Sequence, residues 1–154
     1  MVLPRLPLQA KKREYEMSQF KVLVVDDAIM MRTIISNLLA EDPEVAVAGT
    51  AANGKEALDK LGTVQPDVIL LDLEMPEMGG MTFLKHVKLR SKVPVIVLSS
   101  KVGLGSTDAI EARKLGAFAT ISKPSGAVSF DLAQKRGSEV RETIYKALKI
   151  TDRL

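Results

Sequence analysis

Three carboxylates, a hydroxyl and an amine recur at equivalent places in this chain, each where an apolar, strand-like run gives out. Asp26-Asp27 follow Val22 to Val25, and Asp72 follows Val68 to Leu71. Ser99-Ser100 follow Val95 to Leu98, and Lys123-Pro124 follow Ala119 to Ser122. A fifth polar site, Gly49 to Asn53 after Val45-Ala46-Val47, carries no charge. In a parallel α/β sheet all strand C-termini lie on one edge, so these groups converge there. That combination suits a cation and a phosphoryl group. Adjacent Asp26 and Asp27 point in different directions, so one can bind a cation while the other orients its water shell. Mg²⁺ favours such sites, with one or two carboxylates, retained waters and phosphate oxygens. Asp72 stands alone on a central strand and is the candidate nucleophile toward a phosphoryl donor. Three carboxylates in one cleft repel one another and need a positive group nearby. Lys123 supplies it, and Pro124 restricts Lys123 to an extended backbone that fixes the approach of the amine. Ser99 is placed to hydrogen-bond the oxygens of the transferred group. Taken singly, an Asp pair is most often a helix cap, a Ser pair a loop start, and Lys-Pro a turn. Their joint placement at successive strand ends favours a site.

The elements that must hold these groups alternate strand and helix five times. Strands are expected at 20–25, about 45–49, 67–71, 93–98 and 118–122. Continuous β-branched runs among them indicate strands buried on both faces. Helices are expected at about 28–40, 54–61, 81–89, 107–115 and 130–149. In the first, Ile29, Met30, Ile34, Leu38 and Leu39 fall near helical spacing, and Pro43 lies beyond its end. The second carries Ala57, Leu58 and Leu61 and should end near Gly62; the third buries Phe83, Leu84 and Val87. Gly116 reads as the stop of the fourth, and Val140, Ile144 and Leu148 mark the inner face of the fifth. Five βα units with right-handed crossovers give a doubly wound α/β fold, a single parallel sheet with helices on both faces.

Composition narrows the classes of function. At 154 residues with 46% hydrophobic and 27% charged residues, the chain has ordinary globular composition and length for one domain. Absence of cysteine excludes disulfides and thiolate metal sites, in keeping with a cytoplasmic setting. No run reaches the length of a membrane span, and the N-terminus lacks a signal-peptide pattern, so no membrane insertion is expected. The net charge of +3 is not a nucleic-acid signature. Residues 1–16 hold four basic and two acidic side chains, leaving 18 basic and 17 acidic residues interspersed elsewhere, with few aromatic partners. Residues 1–17, with Pro4 and Pro7, read as an extension outside the fold; 18–150 form the domain, and 151–154 its end or the start of a linker.

Lys21 to Asp27, Asp67 to Pro76 (DVILLDLEMP) and Lys123-Pro124 resemble the receiver domain of two-component response regulators. The resemblance implies a flavodoxin-like (βα)5 sheet of strand order 2-1-3-4-5 and a Mg²⁺-dependent phosphoacceptor on Asp72, phosphorylated by a sensor histidine kinase. It implies that Asp27, Asp72 and the backbone carbonyl of Glu74 bind Mg²⁺, with Asp26 acting through the metal's waters. Ser99 matches the hydroxyl that follows the phosphoryl group, and Lys123 the lysine that pairs with it. Output is then expected through the face formed by the fourth helix, fifth strand and fifth helix. Asp42-Pro43-Glu44, Gly49 to Gly54, Ser99-Ser100 and Gly116 to Leu132 (GAFATISKPSGAVSFDL) are similar, more narrowly, to receivers of chemotaxis protein-glutamate methylesterases of the CheB type. That similarity implies a chemotaxis kinase and a methylesterase domain as partners. The serine, histidine and aspartate pattern of such an esterase is not recognisable in these 154 residues, so the chain is expected to be regulatory rather than an enzyme.

Two departures from the receiver pattern stand out: Gly79 where Asp is common before Gly80, and Thr120 where strand five usually carries an aromatic residue. Phe118 lies two residues earlier on the same face. A haloacid-dehalogenase-type phosphatase also uses Asp and Mg²⁺, but with Asp-x-Asp rather than contiguous Asp26-Asp27. A stand-alone partner-binding receiver is a further alternative. His86, the only histidine, reads as a helix-surface residue. Gly103-Leu104-Gly105 lacks the rest of a phosphate loop. Met30, Met31, Met75, Met78 and Met81 read chiefly as packing residues.

Overall fold

The β-branched runs do form five parallel strands, and their exposure pattern explains why. A computed structural model describes residues 19–75, 77–99, 106–123 and 130–149, the last segment with backbone alone for 130–133. The expected extension at 1–17, Ser100, the Gly103 to Gly105 segment, Pro124 and the terminus at 151–154 lie outside the described residues. The strands are β1 (Phe20–Val25), β2 (Val45–Ala51), β3 (Val68–Asp72), β4 (Val95–Ser99) and β5 (Ala119–Ser122). They alternate with α1 (Ile29–Ala40), α2 (Gly54–Val64), α3 (Gly80–Arg90), α4 (Thr107–Lys114) and α5 (Phe130–Ala147). The sheet order is β2-β1-β3-β4-β5, as expected, with every neighbouring pair parallel.

Strand alternation sorts the core into two layers. Val22, Val24, Val68, Leu70, Ile96 and Leu98 meet Met31, Ile35 and Leu39 of α1 and Val140 and Ile144 of α5. On the other face Leu23, Val25, Ile69, Leu71, Val95 and Val97 meet Ala57 of α2, Phe83, Leu84 and Val87 of α3, and Ala112 of α4. Both faces of the central strands are covered, which is why these strands are apolar throughout. Asp42 in the turn after α1 ties that layer together. Its carboxylate accepts the Glu44 N–H at 2.9 Å and the Tyr145 hydroxyl of α5.

Three expectations need correction. The inner stripe of α1 is Met31, Ile35 and Leu39; Ile34 and Leu38 are half-buried, while Ile29 and Met30 are 73% and 75% exposed. The reason is visible in the helix, IMMRTIISNLLA, where 30-34-38 and 31-35-39 are both apolar series at four-residue steps. Periodicity alone cannot choose between them, and packing on β1 and β2 does. Second, α2 passes through Gly62 to Val64 and ends where Gln65 turns left-handed (φ 48°), its N–H donating to Leu61 O, before Pro66. Third, β2 continues through Gly49 and Thr50 to Ala51, so the uncharged fifth site starts inside a strand. Gly116, with φ 102°, does terminate α4, although the last helical residue is Lys114. Met75, Met78 and Met81 pack against the second core layer, in line with the packing role expected of them.

The phase of α1 is open to direct test. Ile35→Ala should destabilise the fold by about 2–5 kcal/mol through loss of burial and the cavity left behind. Met30→Ala should change stability by no more than about 0.5 kcal/mol. Urea denaturation of both variants checks this, and equal losses would reverse the assignment.

Candidate functional site

The same alternation that builds the core aims the site. Val22, Val24 and Asp26 form one row on β1, and Val68, Leu70 and Asp72 form another on β3. The last registered pair is Val25 with Leu71, so the two aspartates come one step later, side by side at the sheet edge. On β5 the partly buried Ile121 packs on the same layer, and Lys123 follows it at the same parity.

These groups meet. Lys123 Nζ lies 3.2 Å from Asp26 Oδ2 and 3.1 Å from Asp72 Oδ1. Asp26 and Asp72 are each 1% exposed, whereas Asp27 is exposed. Carboxylate oxygens of Asp26, Asp27 and Asp72 all fall within 4.8 Å of one another. Backbone donors complete part of the set: Ala28 N–H to Asp26 Oδ1 at 2.9 Å, and Glu74 N–H to Asp72 Oδ1 at 3.0 Å. Asp72 Oδ2 is enclosed without a hydrogen-bond partner, and Asp26 Oδ2 has only the ionic contact with Lys123. An all-oxygen donor set with unsatisfied buried carboxylate oxygens is what a small, hard divalent cation requires.

The charges shift one another. Burial, and secondarily the neighbouring Asp26 charge, push the Asp72 carboxyl up to about 6, against the pull of the Glu74 N–H and the Lys123 ammonium. At Lys123 burial alone would favour the neutral amine, but Asp72 and Asp26 more than offset it and hold the ammonium above its ordinary range. The site therefore sets a firmly protonated lysine beside an Asp72 carboxyl whose ionisation is disfavoured by burial.

Ser99 is buried at the end of β4, in register with Ser122 of β5. By alternation it continues the row Val95 and Val97, on the opposite sheet face from Asp72 and Lys123. The link to Lys123 runs through backbone, with Lys123 N–H donating to Ser99 O at 3.0 Å. The Thr120 hydroxyl is enclosed without a partner, and Phe118 is 47% exposed. Phe118 N–H pairs with Val95 O, while Thr120 is in register with Val97. The ring thus starts one pleat period, about 6–7 Å, further from the Ser99 end and does not take Thr120's place.

Two site-supporting residues had no sequence signal. Arg32 Nη1 donates to Asp26 O at 2.7 Å, and Arg136 Nη1 donates to Lys123 O at 2.9 Å. A lone arginine at a helix position looks like solvated surface; only the fold shows that each braces the backbone of a charged site residue. His86 is half-buried on α3, away from the strand ends.

Comparison with known proteins gives this geometry its family. The family model of the response regulator receiver domain matches residues 22–132. The chain belongs to that family, whose members generally bind Mg²⁺ in an acidic pocket. Within it, the chain is similar to protein-glutamate methylesterase/protein-glutamine glutaminase of Halalkalibacterium halodurans, 46% identical over 119 residues, covering 77% of this chain and 34% of that protein. The protein of the same description from Bacillus subtilis is 42% identical over 128 residues, covering 83% of this chain and 36% of that protein. The chain thus spans about a third of the length of the curated relatives it matches. Among solved structures, the response regulator domain of Thermotoga maritima CheB superposes with a TM-score of 0.77 at 35% identity, covering 85% of this chain and 97% of that one. A chain in the crystal structure of the P1 domain of CheA3 in complex with CheY6 from R. sphaeroides superposes with a TM-score of 0.73 at 44% identity, covering 86% and 98%. As a receiver related to CheB, this is a regulatory domain, and the phosphatase alternative falls away. Among the described residues no helix is long and apolar enough to cross a membrane.

The raised pKa of Asp72 predicts an inverted stability profile in the absence of divalent cations. Its ionisation opposes folding, so the stability linked to the neutral acid is complete below about pH 4 and is lost as pH rises through about 6. Asp72→Asn should therefore be more stable than the parent at pH 7.5, by up to about 3 kcal/mol, with the difference vanishing near pH 4. Urea denaturation at both pH values in EDTA checks this.

Proposed function

We propose that this chain is a Mg²⁺-dependent phosphoacceptor, phosphorylated on Asp72 by a sensor histidine kinase of the chemotaxis type. The observation that carries this reading is the contact of one partly buried ammonium with two buried carboxylates, each of which keeps an oxygen free of hydrogen bonds. Asp27, Asp72 and the Glu74 carbonyl would hold the ion, with Asp26 acting through water. The ion, when bound, neutralises charge on the transferring group.

The remaining work falls to the chain itself. Oδ1 of Asp72 is occupied by the Glu74 N–H and Lys123, which leaves Oδ2 to attack phosphorus. A P–O bond to Asp72 forms as the P–N bond to the donor imidazole breaks, and the imidazole leaves with its electron pair. Burial removes competing water from the reacting carboxylate, and Lys123 stabilises charge on the phosphoryl oxygens. After transfer, Lys123 pairs with the new dianion and Ser99 follows a phosphoryl oxygen. Their movement biases a pre-existing equilibrium between two arrangements of the α4, β5 and α5 face. Exposed Ile110 and Phe118 on that side support an output surface there.

Because the chain spans about a third of its curated relatives, a second reading is that it is the regulatory part of a protein-glutamate methylesterase. Sequencing the gene beyond the codon for Leu154 separates that reading from a stand-alone receiver.

Incubation with acetyl [³²P]phosphate and Mg²⁺ should label the parent chain, and Asp72→Asn should carry no label. Equal labelling of the two would contradict the assignment of Asp72. Transfer from the phosphorylated P1 domain of a chemotaxis kinase should show the same dependence on Asp72.

A further inference from the structure

The backbone after β3 adopts a conformation that needs outside support. Glu77 (φ 46°) and Met78 (φ 57°) are consecutive non-glycine residues in the left-handed region. L side chains crowd the backbone there, and such residues persist only where their surroundings impose the conformation. Two close approaches impose it here. At the α3 end, Gly80 N–H donates to Leu73 O at 3.2 Å, and a Cβ on Gly80 would lie 2.4 Å from Asp72 O. Across the cleft, Gly54 at the start of α2 donates its N–H to Met78 O at 3.2 Å. A Cβ on Gly54 would lie 2.5 Å from that oxygen and 2.8 Å from Met78 Cγ. Gly54 is not itself in the left-handed region, so its missing side chain supplies room rather than backbone freedom. Asn53 fixes the place of Gly54 by capping α2, its side chain accepting the Glu56 N–H at 2.8 Å.

We infer that Gly54 and Met78 form a latch between the β2–α2 and β3–α3 junctions, and that this latch positions the Glu74 carbonyl for the cation. The inference rests on the Mg²⁺-dependent phosphoacceptor reading above. Both are positioning residues: they contact each other and, through Met78, the second core layer, and they act on the cation only by way of Glu74. Glu74 lies between β3, which is fixed in the sheet, and the Glu77-Met78 turn, whose backbone is held by Gly54 and Gly80 and whose Met78 side chain packs on the second core layer. Mg²⁺ demands near-ideal octahedral geometry, so a displaced turn is paid for in affinity. By reciprocity, an ion that holds Glu74 must tighten the latch.

The test is a ¹⁵N NMR titration of the whole chain with MgCl₂. Gly54→Ala should raise the half-saturating Mg²⁺ concentration roughly tenfold, the low end for loss of a contact that orients a metal ligand. Gly79→Ala is the control, because its Cβ would find its nearest neighbour at 3.7 Å, an ordinary contact. Combining Met78→Gly with Gly54→Ala should recover only part of the loss, since the Cβ and Cγ contacts disappear but the 2.5 Å approach to the carbonyl oxygen of residue 78 remains, now on a residue that can move more freely. In the unaltered chain, hydrogen exchange at the Gly54 amide should slow as Mg²⁺ approaches saturation, a readout that does not depend on any variant folding. Unchanged Mg²⁺ affinity in Gly54→Ala, or Gly54 exchange indifferent to Mg²⁺, would each overturn the latch. An unaltered chain that binds no Mg²⁺ would instead overturn the phosphoacceptor reading beneath it.

Discussion

Two buried carboxylates share one ammonium, and most of the architecture can be understood as the means of keeping them together. Asp26 and Asp72 are each 1% exposed, and Lys123 at 3.2 and 3.1 Å supplies the pairing that buried carboxylates need. The three come from β1, β3 and β5, so their meeting requires the parallel order 2-1-3-4-5 and the in-phase alternation of all three strands. Arg32 and Arg136 then hold the carbonyls of Asp26 and Lys123, fixing the backbones from which the charges project. The balance is deliberately incomplete. Burial, and secondarily the Asp26 charge, leave Asp72 with a raised pKa and an enclosed oxygen without a hydrogen bond, in a cluster of three carboxylates that meets one ammonium. A hard divalent cation is what completes such an all-oxygen site.

Much of this was legible in the sequence because strand-end chemistry is local. β1 was bounded at Phe20 and Val25, and the polar residue after each apolar run named Asp26, Asp27, Asp72, Ser99 and Lys123 before any contact was known. What was not legible depended on choices made by tertiary packing. The inward face of α1 is one residue away from the expected series because two apolar series compete within it. Gly62 looked like a helix stop but is carried inside α2, where the left-handed Gln65 before Pro66 provides the real end. Arg32 and Arg136 act through backbone carbonyls, and a side chain reaching a distant carbonyl leaves no motif. Gly54 belonged to a recognisable polar stretch, yet the reason for it lies in a methionine 24 residues away.

The fold also separates reception from response. Asp72 and Lys123 continue the α1/α5 layer of the core, whereas Ser99 ends the row of Val95 and Val97 beneath α4. A signal carried from Asp72 to Ser99 therefore crosses the sheet at β4, and backbone pairing of Lys123 with Ser99 joins the two sides. Thr120, on the Ser99 side, has its hydroxyl enclosed without a partner, and no aromatic ring stands in its place. Under the proposed phosphoacceptor reading, the charge would change on one face of this regulatory domain and the α4–β5 surface would respond on the other.

Chemical trapping of the acyl phosphate tests the account most directly. The chain is incubated with acetyl phosphate, with and without Mg²⁺, reduced with borohydride, digested and mapped by mass spectrometry. An aspartyl phosphate is reduced to homoserine under these conditions, and the account predicts homoserine at position 72 only, and only when Mg²⁺ was present. Homoserine at position 26 or 27, or conversion of Asp72 to the same extent in EDTA, would contradict it.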